Sequence, residues 1–256
     1  MIATLRTLLG GRSPAYPLTL ALPGGDLPLQ VTVNPRARKL SLRLCSASRS
    51  VKLTVPPRVS RQRALAFLNA NRGWVEAQAT RRLPPPLPFL PGVALPLADE
   101  KLLLATGPGR VARREGDRLL VPGSGALYAG RVKRWLSAEA ARRLEAETHA
   151  LAARIGRDVR EVRVGDFRSR WGSCAPDGRI AYSWRLILAP GHVRQSVVAH
   201  EVAHLVEPNH GPRFWKTATA LLGQPHDEAR AWLRANGPLL MSYGAKPLPK
   251  RQAGSE

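Results

Sequence analysis

His200 and His204 stand four residues apart with Glu201 directly after the first, in the order His-Glu-Val-Ala-His. On a helix, residues i and i+4 share a face about one turn apart, so both imidazoles can reach a single ion. A zinc–nitrogen bond of roughly 2.0–2.1 Å fits that spacing without bending the helix. Glu201 sits beside the first ligand, where a carboxylate can bond a water at the metal and act as general base. The flanks are apolar, with Val197, Val198 and Ala199 before and Leu205 and Val206 after. Such a helix belongs in a core, which keeps one side of the site dry. Packing alone explains a glutamate in this run poorly, because a buried carboxylate needs a partner. A catalytic zinc takes three protein ligands and leaves the next position to water. His210, just past the break at Pro208, is the expected third ligand. The set predicts one zinc per chain on His200, His204 and His210, with Glu201 as the catalytic residue.

That chemistry is hydrolysis of an amide, and it needs a group to stabilise an oxyanion. Tyr182, Arg185 and His226 are the candidates. His226 precedes Asp227 and Glu228 at an expected helix start, which reads better as a surface or capping position. Cys174 is not needed as a nucleophile where a metal supplies one. Arg170-Trp171-Gly172-Ser173-Cys174 reads as a structural loop, with Gly172 relieving the backbone and Trp171 packing. Phe214 and Trp215 read as core anchors. The segment 179–184 offers a strand to which an extended peptide could pair.

The elements that must position these residues are visible as patterns. PLQVTV (28–33), KLSLRL (39–44) and SVKLTVP (50–56) alternate with period two and read as strands. Pro23-Gly24-Gly25 and Asn34-Pro35 punctuate them as turns. Ser60 then caps a helix ending near Arg82. Pro84-Pro85-Pro86-Leu87-Pro88 cannot be helix and reads as a stiff connector. Short strands follow over 93–122, then a long amphipathic helix over 129–155. A strand at 160–165 leads to a hairpin turning through Pro176-Asp177-Gly178. The ligand helix is expected over 191–207, stopped by Pro208. Two shorter helices, 212–222 and 226–236, close the pattern, and a Gly-Pro break precedes Met241-Ser242-Tyr243. No internal repeat is evident.

Lys and Arg number 40 against 18 Asp and Glu, for a net charge of +22. Such a field attracts polyanions and is screened by salt. It predicts weak contact with nucleic acid or another polyanion. The null account is coding bias, which explains the choice of Arg but not the shortage of acids. No stretch approaches the roughly 18 uninterrupted apolar residues of a membrane helix. MIATLRTLLGG, interrupted by Arg6, is a poor signal peptide. A soluble, cytoplasmic protein with no membrane partner is the expectation.

HEVAHLVEPNHGPRFW (200–215) and the preceding RSRWGSCAPDGRIAYSWRLILAP (168–190) resemble the signature of the YgjP-like and SprT-like zinc metallopeptidases. SVKLTVPPRVS and the AFLNANRGW helix resemble the YgjP-like group more loosely. The resemblance implies an α+β chain with a zincin-like catalytic domain, an active-site helix beside a small antiparallel sheet, preceded by a β-rich region. Residue by residue, it carries the zinc ligands onto His200, His204 and His210, and the catalytic glutamate onto Glu201. The expected organisation is a β-rich part over 1–83, a proline connector with short strands over 84–128, the catalytic domain over 129–240 and a tail over 241–256. The substrate is a peptide or protein. A metal-dependent hydrolase of an anionic substrate such as a phosphoanhydride is one alternative, and a nucleic-acid-associated protein with a structural zinc is another.

Overall fold

The period-two segments form strands, and the helical stripes form helices that bury one face each. In the computed structural model, residues 16–17, 19–22, 25–45 and 49–245 are described. The opening segment read for a leader, the Pro23-Gly24 turn and the polar tail from residue 246 lie outside them. The chain divides into two units, with the boundary between Arg82 and Leu83.

In the first unit, β1 (Thr19–Leu20), β2 (Leu27–Val33), β3 (Ser41–Cys45) and β4 (Ser50–Val55) form one sheet in the order β1-β2-β4-β3. Its apolar positions Leu27, Leu29, Val51, Leu53 and Val55 are buried, as are Ala64, Leu68 and Val75 of the helices that follow. Ser60 caps the first of these, its Oγ accepting the Arg63 N–H at 3.3 Å. The single expected helix is two, α1 (Arg61–Ala70) and α2 (Arg72–Arg82). The break falls at Asn71, whose side-chain amide donates to the Phe67 carbonyl at 2.8 Å. This local bond offers the backbone an alternative to continuing the helix.

The second unit opens with β5 (Ala94–Leu97), β6 (Glu100–Thr106), β7 (Arg113–Glu115) and β8 (Arg118–Val121), in the order β5-β6-β8-β7. This repeats the first sheet strand for strand. In both, the outer pairs are antiparallel and the central pair parallel, β2 with β4 and β6 with β8. The loop leaving the central strand is tied the same way in each, Asn34 N–H to Val55 O at 3.0 Å and Gly107 N–H to Val121 O at 3.2 Å. A helix follows each sheet. The chain therefore carries an internal structural repeat that its residue identities do not show. These short strands, expected with the proline connector over 84–128, fall in the same compact unit as the helices that follow them.

The long helix is α3 (Gly125–Ala153), which buries Val132, Leu136, Ala140 and Leu144 completely. Each buried Val or Leu on this stripe contributes roughly 1.5–3 kcal/mol. Then come β9 (Glu161–Gly165), β10 (Gly172–Cys174) and β11 (Arg179–Ser183), in the order β10-β11-β9. This sheet is mixed rather than antiparallel, since β11 pairs antiparallel with β10 and parallel with β9. Gly178 takes φ +81° in the hairpin turn. A buried 3-10 turn, Trp184–Leu188, leads into α4 (Gly191–Ala203), α5 (Pro212–Leu222) and α6 (Asp227–Ser242).

The closing helix α6 runs past the expected break, through Gly237 and Pro238 to Ser242, so Met241-Ser242 is helical rather than a turn. Gly237 admits the Trp171 ring, where a Cβ would lie 3.1 Å from it. The proline run is bonded to the end of this helix. Leu87 N–H donates to Ser242 O at 3.0 Å, and Gly244 N–H donates to Leu87 O at 2.8 Å. Pro84–Pro88 thus straps the second unit instead of spacing two regions. Among the described residues, no helix is long and apolar enough to cross a membrane.

Two buried guanidiniums fasten the site's neighbourhood. Arg194 of α4 makes a forked bond to Glu147 of α3, at 2.8–3.1 Å. Arg185, 1% exposed, pairs with Asp166 and stacks 4.4 Å over the Trp184 ring. Burial alone would raise the Asp166 carboxyl, but hydrogen bonds from Arg185 and Lys133 and the charges of Arg185 and Arg168 hold it well below the usual range. Its stabilisation is therefore complete above the ordinary carboxylate pKa and lost as pH falls through that range toward the lower folded value. Asp166→Asn is expected to cost about 2–3 kcal/mol by leaving Arg185 buried without its counter-charge. Urea unfolding should show this at neutral pH, with a smaller further loss on acidification than in the parent chain.

Candidate metal centre

The apolar side chains of helix α4 carry it into the core; Val193, Val198, Ala199, Val202 and Ala203 are fully buried. It ends at Ala203, four residues before the expected end, with His204 as its C-cap. The His204 Nδ1 lies 3.1 Å from the Glu207 carbonyl. A carbonyl can only accept, so Nδ1 carries the proton and the Nε2 lone pair is left to a metal. The turn after α4 brings His210 back, with its Nε2 3.0 Å from that of His200. The nitrogens of His200, His204 and His210 all lie within 4.8 Å of one another. Two ligands on a tetrahedral zinc at roughly 2.0–2.1 Å would be about 3.3 Å apart, close to the His200–His210 spacing. Burial first, then the charges of His204 and His210, push His200 down to about 4. Burial also lowers His204, against the Glu207 carbonyl bond, which raises it. Neutral imidazoles are the form that ligates, so the donor set fits a divalent ion.

Phe214, read as a core anchor, is more than that. It is fully buried, and its ring lies 4.8, 4.5 and 4.7 Å from the rings of His200, His204 and His210. One side chain thus supports all three imidazoles from the first turns of α5. Trp215 adds ring contacts at 5.8 Å to His200 and 6.0 Å to His210.

Glu201 is 6% exposed. Burial pushes its carboxyl up to about 7, opposed by the charge of Arg170. Two cavities meet at this carboxylate. One, of about 440 Å³, runs between β10 and the three histidines; the other, of about 230 Å³, is bounded by Trp171, Val197, His226, Arg230 and Leu233. A cavity of about 530 Å³ in the first unit is lined by Tyr16, Leu20, Leu65 and Leu68 with Thr19, Asn69, Arg61 and Arg72.

Gly172 was expected only to relieve a loop. It lies in β10 and presses against the Glu201 carboxylate, since a Cβ there would sit 2.4 Å from Glu201 Oε1. The strand offered for peptide pairing also changes. β11 already has β10 and β9 on its two sides, and β10 is the outer strand facing the groove. Of the oxyanion candidates, Tyr182 is fully buried and its hydroxyl accepts from Thr148 at 3.1 Å. Arg185 is occupied by Asp166. His226 stands at the N-cap of α6, but its side chain makes no capping bond and is not at the surface: it is 4% exposed, lines the smaller cavity, and its Nδ1 lies 2.8 Å from Ser196 Oγ. Burial, then the charges of Glu201 and Asp177, push the Cys174 thiol up to about 11, which makes it a poor nucleophile.

The YgjP-like metallopeptidase domain matches residues 38–236. The chain belongs to the YgjP-like family. Membership makes it a metal-dependent peptidase in general terms and implies a divalent ion. No curated protein and no solved structure matches the chain. The match takes in the histidine cluster and the first unit from residue 38 to Arg82, so β3, β4, α1 and α2 belong to the YgjP-like pattern.

Gly172→Ala tests the packing at Glu201. The added methyl is expected to displace the carboxylate and lower turnover at least tenfold. Metal content should be unchanged, because the atoms nearest to a Cβ at position 172 are those of Glu201 rather than of an imidazole. Turnover within twofold of the parent would show that Glu201 does not need this approach.

Proposed function

We propose that this chain is a zinc peptidase that cleaves amide bonds in an extended peptide laid along β10. The observation that carries the reading is one buried carboxylate, Glu201, on the cavity shared by three converging imidazoles and an outer strand. His200, His204 and His210 hold the ion. Zinc bound there supplies a Lewis acid and brings the pKa of water from about 15.7 toward 7. Glu201 takes the proton from the attacking water and passes it to the leaving amine. β10 orients the substrate by main-chain hydrogen bonds, leaving alternate side chains to face the cavities. Of the three side chains considered for the oxyanion, His226 alone lines a cavity and is the one retained. A structural zinc would be closed by a fourth protein ligand; among the described residues the cluster consists of His200, His204 and His210.

Two variants test this against labelled casein, with nucleoside triphosphate hydrolysis measured in parallel. Glu201→Gln nearly preserves size, keeps the metal and should lose turnover by about a thousandfold or more, since it cannot accept a proton. Near-normal casein cleavage by the zinc-loaded Gln variant would overturn the mechanism. Triphosphate hydrolysis without peptide cleavage would overturn the substrate class. His210→Ala should lower zinc affinity sharply while the fold persists; full, tightly held metal by elemental analysis would remove His210 from the ligand set.

A further inference from the structure

The repeated sheet provides an internal control for the chain's charge. Both copies come from one sequence, with one coding bias and one topology. The second copy, Ala94–Val121, has five basic residues and four acidic ones. The first, Thr19–Val55, has six basic residues and only Asp26 as an acid. Registers align the copies residue by residue. In the second, Glu115 lies directly across from Arg118. The equivalent cross-strand pair in the first is Arg43 across from Lys52. Like charges placed opposite on a sheet destabilise it. The second copy answers its arginines, with Arg113 on Glu115 and Arg114 on Glu100. In the first, Arg36, Arg38 and Arg43 take part in no ion pair among the described residues.

The surroundings compound this. β2 and β4 end together, Val33 beside Val55. The loop that leaves β2 carries Arg36, Arg38 and Lys39, and the turn that leaves β4 carries Arg58, Arg61 and Arg63. All six are exposed. The last two lie in the first turn of α1, which has no acidic residue, although a helix N-terminus favours negative charge. The row Gln30–Lys52–Arg43 extends the patch across the open face of the sheet. Among the described residues, none of these eight cations takes part in an ion pair, while all eleven ion pairs lie in the second unit.

We propose that this face of the first unit is a binding surface for the phosphate backbone of nucleic acid, read without base contacts. Six of the eight cations are arginines, whose planar forks match phosphate oxygens bidentately. Their spread over two loops and a strand row suits a ligand with regularly repeated charges. A membrane surface suits it less, since among the described residues Val33 is the one large apolar side chain exposed at this end. The surface is separate from the peptidase reading and stands or falls without it.

The test uses the full chain and a short labelled DNA duplex of arbitrary sequence, with its single strand alongside, followed by fluorescence anisotropy. Saturable binding is expected near physiological salt. The slope of log K against log[KCl] should be about −4 to −6, corresponding to about five or six phosphates neutralised. Arg43→Glu is the decisive variant. It recreates the second copy's pairing, so it should raise the melting temperature while weakening binding severalfold. A residue with only a structural role would move both in one direction. The triple change Arg36→Glu, Arg38→Glu, Lys39→Glu should weaken binding tenfold or more and flatten the salt slope. The same net change made at Arg110, Arg134 and Arg157 should alter it less than threefold. Three results would each overturn the proposal: no saturable binding at physiological salt, equal losses from the two triples, or equally tight binding to phosphatidylserine vesicles or polyglutamate.

Discussion

A carboxylate held out of water beside three imidazoles is the constraint around which the second unit is arranged. Burial that lifts Glu201 to about 7 disfavours its ionised form by about 3 kcal/mol. Three imidazoles with their nitrogens within 4.8 Å of one another likewise disfavour positive charge on one another. Neither feature favours folding by itself. A divalent cation reverses both, because opposite charge favours the carboxylate and the nitrogens become donors. Folding and metal affinity are therefore linked in this unit, and the rest of the packing holds a site whose favourable state includes the ion. The forked bond from Arg194 to Glu147, the Phe214 ring under all three imidazoles and the bare Cα of Gly172 act on that one geometry from different sides.

Helix α4 and the three histidines at and beyond its end were legible because they are local. A four-residue spacing, an apolar flank and a proline break are read along the chain, and the geometry follows from helical pitch. Phe214, Gly172 and His226 were misjudged for the complementary reason. Each acts through a contact with a residue far along the chain, or in a direction that spacing does not specify. Glycine in a short strand can mark a turn, a bulge or a close approach, and only the packed neighbour, Glu201, decides which. The hairpin 172–183 was visible, but its edge was not. Which strand lies outside depends on the parallel partner β9, and strand order is not written in alternation.

Two local rules were overruled by tertiary contacts. Gly237-Pro238 should end a helix, since proline lacks an N–H and crowds the preceding turn. Here Leu240 is buried, the Trp171 ring fills the space at Gly237, and the Leu87 strand bonds the last turn. The same contacts convert Pro84–Pro88 from a spacer into a strap. At Asn71 the reverse holds. A side-chain bond to the local carbonyl splits a helix that periodicity alone would continue.

The repeated sheet escaped the sequence because the two copies share pattern without identity. Alternation keeps apolar residues on one face and leaves the other face free to diverge, and that free face is where the copies differ. One interleaves acids with its arginines and is neutralised from within. The other sets Arg43 against Lys52 and adds cations at the sheet end, a choice that lowers its own stability. A coding bias acts on both copies alike and would leave both uncompensated. Six basic residues stand against Asp26 in the first sheet, where five stand against four acids in the second, so the two sheets of one topology differ in just the residues that a uniform bias would leave alike.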